Sequence, residues 1–553
     1  MRSIAYFGVP LAAERAKDSS KLTPIAGFSV AEAELVKSLL LYGSYENYFF
    51  ICRSSGSINE AKELLFTYPN NDRTEVVSIA EFEKIKAYER VILLSASSIL
   101  SELIQARKLL DRPKYPIVGF THALSYLIGL PHILNLLLEQ VNIFDAIICT
   151  SSAGKMSVEK LFESTSSFIS HRFGFTPHYK GKLPVAPLGI DTEIYYPRDK
   201  AEARSRFSIP QEKKVFLYLG RFSDIDKMDP FPLLIAFAKT FAADKEKPFL
   251  ILSGDDTHLN LTKTLQNFAV DLGCSDMVKI LPDISSQDKP WLYSAADCFV
   301  SISDSVQETF GLTVIEAMAS GLPVIGSDWS GYKESVKDGV TGILVPTYSA
   351  KQCMDTVSSA APIVGEGMSQ WLLGQSIVVD IAHLSSALRF MAENDFSRIE
   401  MGRQGRKVAT EKYCWREVIK RYETIWEDLF EVANSATPVI DPLINGITSL
   451  HHSKVFDHYP TGSISLETEL EITQFGFEIS RERMEKLLQQ RYMFFDVDIF
   501  KQILSIFIRH QKMNTKTVVK YLALDFEVTT EAIFQYIVRL VKYGLLDTSS
   551  KKT

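Results

Sequence analysis

Glu308–Thr309–Phe310–Gly311–Leu312–Thr313–Val314–Ile315–Glu316 places two carboxylates eight positions apart, across a loop with a single glycine. The spacing predicts a helix starting near Leu312. Its first N–H groups, from Thr309 to Leu312, have no partner one turn back and could hold an anion such as phosphate. Glu308, just before the helix, could reach the hydroxyls of a ligand, and Glu316 lies about one turn inside. An ordinary alternative is that Glu308 caps the helix and Glu316 is a solvated helical residue. A second cluster, Gly220–Arg221–Phe222–Ser223–Asp224–Ile225–Asp226–Lys227, follows the apolar run Val215 to Leu219. Arg221 supplies a planar fork of donors and Lys227 a mobile point charge, so the two could converge on a pyrophosphate. Otherwise they are two surface cations.

Three further positions sit where runs end. His122 follows Ile117 to Phe120, either as a residue at the mouth of a cleft or as a structural histidine. Gly254–Asp255 follows Phe249 to Ser253, where Asp255 is a turn residue or a pocket residue. Gly27 is the one glycine of Leu22–Thr23–Pro24–Ile25–Ala26–Gly27–Phe28–Ser29, and the only place in that stretch for a tight backbone approach. No tight His/Cys/Asp ligand cluster is evident, so no metal is expected.

The elements that must position these residues read as alternating strand and helix. Short apolar runs suited to a buried parallel sheet are Ser3 to Val9, Tyr48 to Arg53, Thr74 to Ile79, Val91 to Ser95, Ile117 to Phe120 and Ala146 to Thr150. A helix is expected from Phe28 to Leu41. A second set comprises Val215 to Leu219, Phe249 to Ser253, Val278 to Leu281, Cys298 to Ser301, Val324 to Ser327 and Ile343 to Val345. This predicts an α/β chain of two doubly wound domains facing a cleft, with ligands beyond the carboxyl ends of the strands. The domains are set at 1–196 and 197–410, followed by a helical crossover and linker at 411–436, where Trp415 and Trp426 can pack on a domain surface. From 437 to 553 a different pattern predicts a strand-like start and helices at Phe500 to Arg509, Thr515 to Leu524 and Thr530 to Lys542. Tyr543–Gly544–Leu545–Leu546 reads as a glycine cap followed by an apolar anchor. Three short helices with a small strand pair resemble a winged-helix module, and more weakly the peptide-binding PqqD-like domains.

At 553 residues the chain is long enough for about three to five structural units. Its 60 Lys+Arg against 67 Asp+Glu leave a net charge of −7, which offers no global attraction to nucleic acid or anionic lipid. The 46% hydrophobic content excludes wholesale disorder. The start is too short in apolar residues for a signal peptide, and Ala123 to Cys149 is too interrupted to span a membrane. Six scattered cysteines read as reduced and buried, in keeping with a cytoplasmic protein. Peripheral membrane contact stays open.

The segment from Glu308 through Glu316–Ala317–Met318–Ala319–Ser320–Gly321–Leu322–Pro323–Val324–Ile325 closely resembles the E-x7-E signature of retaining glycosyltransferases of family 4, which have the GT-B fold. Gly220–Arg221 with Lys227 resembles that family's phosphate-clamping element, and Pro187–Leu188–Gly189–Ile190–Asp191 its P-x-G-[V/I]-D segment. The resemblance implies a GT-B architecture with an acceptor-side first domain and a donor-side second domain. It implies that Glu308 contacts the donor sugar, Glu316 the ribose, and Arg221 and Lys227 the diphosphate. Backbone donors at Thr309, Phe310, Gly311 and Leu312 would meet the diphosphate or sugar, His122 would position the sugar, and Gly254 and Asp255 would line the base or diphosphate pocket. It further implies a nucleotide-sugar as substrate, no required cofactor, and a carbohydrate, lipid-linked or polypeptide acceptor. Many members carry Gly-Gly where this chain offers only Gly27. The alternative to a transferase is a regulatory or partner-docking protein that uses the C-terminal winged-helix-like domain, with the two-domain unit serving ligand binding.

Overall fold

A computed structural model describes residues 1–8, 27–53, 55–68, 70–257, 259–439, 455–479, 483, 497–525 and 529–548. The loop read as replacing Gly-Gly lies outside the described residues except at Gly27, the first residue of the helix Gly27–Tyr42. The chain separates into two compact units, Met1–Thr448 and Ser449–Thr553.

The larger unit holds two six-stranded sheets. The first is built from β1 (Arg2–Phe7), β2 (Asn47–Cys52), β3 (Thr74–Ser78), β4 (Arg90–Leu94), β5 (Ile117–Phe120) and β6 (Ala146–Ile148), in the order β3-β2-β1-β4-β5-β6. The second takes β7 (Val215–Leu219), β8 (Phe249–Gly254), β9 (Val278–Pro282), β10 (Cys298–Ser301), β11 (Val324–Ser327) and β12 (Gly342–Val345), in the order β12-β11-β10-β7-β8-β9. Every pairing within both sheets is parallel. The orders are the same once the second sheet is counted from β7, so each has a switch point beside its first strand, the usual place for a ligand crevice. The central strands β7, β10 and β11 are buried on both faces, which is why they read as unbroken apolar runs rather than alternating ones, while the edge strands β3 and β9 are only half-buried.

After the second sheet the chain returns to the first. The helix Asp395–Val408 leads through a π turn at Ala409–Tyr413 into the helix Trp415–Ser435. That last helix lays Trp415, Ile419, Tyr422, Trp426 and Leu429 into the core of the first sheet, against Tyr6, Tyr45 and Phe120. Four of the six cysteines are buried as expected, but Cys353 is exposed and Cys414 half-buried. Cys353 lies in the first turn of the helix Lys351–Val364, which buries only Val357 and Ala361.

The smaller unit has its own core, with Phe500, Ile503, Phe507, Val518, Ile533, Ile537 and Leu540 at its centre. Helices Val497–His510, Thr515–Asp525 and Thr530–Lys542 surround it. A three-stranded antiparallel sheet sets Glu469–Ile472 between Lys512–Asn514 and Leu546–Thr548, one strand more than the expected pair. Gly544, at φ 71°, ends the last helix, and Leu545 and Leu546 behind it are buried.

Candidate active site

The loops leaving the carboxyl ends of the two sheets meet. Ser151, after β6, accepts the Gly154 N–H as the cap of the helix Ser152–Phe173 and donates its hydroxyl proton to the Thr309 carbonyl at 2.7 Å. Thr309 Oγ1 donates to the His122 carbonyl at 3.4 Å. Glu334 accepts from the Ala153 N–H and the Ser152 hydroxyl, a carboxylate at a helix N-terminus. Farther along, Tyr126 Oη donates to Asp226, Ser125 exchanges two hydrogen bonds with Gln370, and the Leu127 N–H donates to Glu366.

Inside this junction the second sheet's loops bring together Arg221, Lys227 and Glu308. Lys227 Nζ donates to Glu308 Oε2 at 2.6 Å, and both side chains are largely buried. Burial alone would push the Glu308 carboxyl up, but the Lys227 ammonium and the Phe310 and Gly311 N–H groups outweigh it and hold Glu308 below the usual glutamate range. Two backbone donors expected to face a ligand are thus turned onto Glu308 itself. Arg221 Nη1 pairs with Asp226 at 3.1 Å, while Asp226 also accepts from Ser223. Two half-spent cations beside a carboxylate form a site that can exchange its own ion pairs for those of an incoming anion.

Two glycines are demanded by close approach. A Cβ on Gly254 would lie 1.6 Å from the Gly220 carbonyl oxygen, so the β8 and β7 ends can meet only without a side chain. Gly311 has φ 92°, and a Cβ there would stand 2.3 Å from the Tyr332 ring. It ends the loop in the left-handed region and starts the helix Leu312–Ala319, whose first residue is the expected one.

Glu316 is 5% exposed, which overturns the reading of a solvated helical residue. It accepts from Lys289 Nζ and from Tyr293 Oη, each at 2.7 Å. Asp255 Oδ1 accepts from the Thr257 N–H and hydroxyl, closing a turn, while its other oxygen is buried without a hydrogen-bond partner among the described residues. His122 stands at the end of β5 as expected, but its Nε2–H donates to the Ala96 carbonyl. Burial lowers its pKa to about 4, so the ring is neutral near pH 7.

Several contributors were not singled out from sequence. Asp304, between β10 and Glu308, accepts the Asp229 N–H at 3.2 Å, and burial pushes its pKa up to about 7. Lys289 and Tyr293 hold Glu316. The helix Glu366–Gly374 clamps the junction through Glu366 and Gln370, while its Trp371 Nε1 donates to Asp224 at 3.0 Å. Asp304 lay inside the strongest motif and could have been found as a carboxylate at a strand end. The others carried no local signal. Among the described residues no group of three or more His, Cys, Asp or Glu side chains is placed to hold a metal ion, and no helix is long and apolar enough to cross a membrane.

Two doubly wound sheets of identical order, opposed at their carboxyl ends over such a site, define the GT-B fold. Solved structures agree. The sucrose-phosphate synthase of Thermosynechococcus elongatus matches 78% of this chain and all of its own, at a TM-score of 0.50 and 17% identity. The HepE protein of Anabaena, solved with UDP, matches 77% of this chain and all of its own, at 0.51 and 15%. At these identities the likeness is one of fold. Residues 199–361, which include all six strands of the second sheet, match the Glycosyl transferases group 1 family model. The D-inositol 3-phosphate glycosyltransferase of Mycobacteroides abscessus is 32% identical over 190 residues, 34% of this chain and 41% of that protein. The enzyme of the same name from Mycolicibacterium smegmatis is 32% identical over 181 residues, 32% of this chain and 40% of that protein. The chain thus spans about two fifths of the length of these curated relatives.

Proposed function

We propose that the protein is a retaining glycosyltransferase of family 4 that moves a sugar from a nucleotide-sugar to an acceptor hydroxyl. The observation that carries this reading is the Lys227–Glu308 pair beside Arg221, at the start of the helix Leu312–Ala319, within the segment that matches the group 1 model. Arg221 and Lys227 exchange their carboxylate partners for the donor diphosphate and stabilise the charge that develops as it leaves. Glu308, released from Lys227, accepts hydrogen bonds from the sugar hydroxyls. Glu316 accepts from the ribose, Gly254 and Asp255 border the nucleotide, and the neutral His122 orients the sugar without acting as an acid. The departing phosphate oxygen takes the acceptor proton on the same face, which leaves the configuration retained. The nucleotide-sugar is a substrate, and the reaction requires no cofactor from the residues that build the site. Closure over the pair excludes water and aligns the acceptor.

The test is a panel of UDP-, GDP-, ADP- and TDP-sugars offered to the intact protein, read as binding and slow donor hydrolysis. One donor is selected, and Arg221→Met, Lys227→Met and Glu308→Gln each weaken it sharply. Unchanged behaviour in all three folded variants sinks the assignment.

A second role is supported by the separate core of the smaller unit. We propose that this winged-helix-like unit docks a protein or peptide partner in a cytoplasmic setting. Expressed as residues 440–553, it should bind a partner polypeptide and not duplex DNA; binding to DNA would favour a regulatory protein instead.

A further inference from the structure

The first sheet carries a cavity of about 620 Å³ that none of the groups above uses. Its walls include Phe7, Ile79, Phe82, Ala106, Leu109 and His132. Phe7 is the last residue of β1 and Ile79 directly follows β3, so the cavity lies at the carboxyl edge of the sheet, the same edge that bears His122. That is the acceptor side of the proposed reaction, on which this inference rests. The volume is that of a small-molecule site, and the walls are mostly hydrocarbon.

Ser101, Glu102, Gln105 and His132 are the polar residues among the walls, and Glu102 and His132 differ in kind. Glu102 is satisfied, since Arg53 Nε donates to it at 3.1 Å. His132 Nδ1 is buried and has no hydrogen-bond partner among the described residues. A hydrocarbon wall with one unsatisfied imidazole nitrogen fits a molecule with a long apolar body and one polar group. Leu109, among these walls, is 66% exposed and reaches the solvent.

We propose that this cavity holds the alkyl chain of a lipid-like acceptor. The test measures binding of fluorescently labelled dodecanoate to the full chain. Unlabelled dodecanoate and farnesol serve as competitors that tell a straight acyl chain from an isoprenoid one, and displacement by either supports the proposal. Saturable binding is expected, weakened at least tenfold by Ala106→Trp, which fills the cavity, and by Leu109→Glu, which charges its mouth. Leu109 is exposed, so that variant folds even where the tryptophan does not. No saturable binding to the wild-type chain, or binding undiminished in Leu109→Glu, overturns the proposal. Nucleotide-sugar binding, measured on the same samples, should not change in either variant. Its absence from the wild type would sink the transferase reading separately, while leaving the cavity result to stand or fall by itself.

Discussion

Replacing Lys227 by Met keeps the length of the side chain and removes its charge. Glu308 is then a buried carboxylate, 10% exposed in its side chain, without its ion-pair partner. Breaking a buried pair from one side costs about 3–5 kcal/mol, because the remaining charge is uncompensated. The Phe310 and Gly311 N–H groups still donate to Glu308, which places the loss near the lower end, at about 3 kcal/mol. Glu308→Gln alone leaves Lys227 facing a neutral amide, but Lys227 is 20% exposed and can turn to water, so about 1–2 kcal/mol is expected. The double variant contains no buried charge without a partner and should cost little more than Glu308→Gln. The cycle therefore closes with a coupling of nearly the whole Lys227→Met loss, about 3 kcal/mol. Urea unfolding of the four proteins measures it through tryptophan fluorescence, to which Trp329 contributes beside the site, its Nε1 donating to the Ser305 carbonyl at 2.9 Å. Additivity within about 0.5 kcal/mol would mean that the two groups are not coupled, and would refute the ion pair as the organising contact.

Asp304 gives a pH dependence of opposite sign to an ordinary paired carboxylate. Its folded pKa, about 7 against an ordinary 3.8, means that the folded protein binds the extra proton, so stability falls as pH rises between those values, by on the order of 4 kcal/mol. Asp229 and Asp224 face it, and Asp304→Asn should flatten the pH 4–7 slope of the melting temperature; an unchanged slope counts against the assignment. Gly311→Ala forces a Cβ into the Tyr332 ring and out of the left-handed region, so donor binding should fall at least tenfold, read by calorimetry, and wild-type affinity would contradict the close approach. Ser151→Ala removes a helix cap and a bond to the Thr309 carbonyl, a loss of about 1 kcal/mol in urea, and an effect below the error of the midpoint would show the bond to be idle.

Much of the scaffold was legible along the chain. β5, β7, β10 and β11 begin and end where their apolar runs do, since a strand buried on both faces needs no partner to declare itself. The smaller unit was harder. The strand-like start became the short strand Glu469–Ile472, and a third strand, Leu546–Thr548, begins at the Leu546 read as an apolar anchor. Sheet pairing there depends on neighbours distant in sequence, which a short run does not reveal.

Within the site the same division holds. The order Glu308, Gly311, helix, Glu316 was readable because strand, loop and helix are consecutive and their periods are local. Which charges meet was not. Lys227 reaches Glu308 from 81 positions away, and Lys289 reaches Glu316 from 27, through loops set side by side by the strand order. His122 was placed correctly at a strand end, but its neutrality follows from burial against the Ala96 carbonyl. The sequence by itself determined the two parallel-sheet halves and the positions of the candidate ligand-binding groups. Only the tertiary structure decided their partners and protonation, because burial and ion pairing depend on three-dimensional proximity and local dielectric, neither of which is encoded in spacing along the chain.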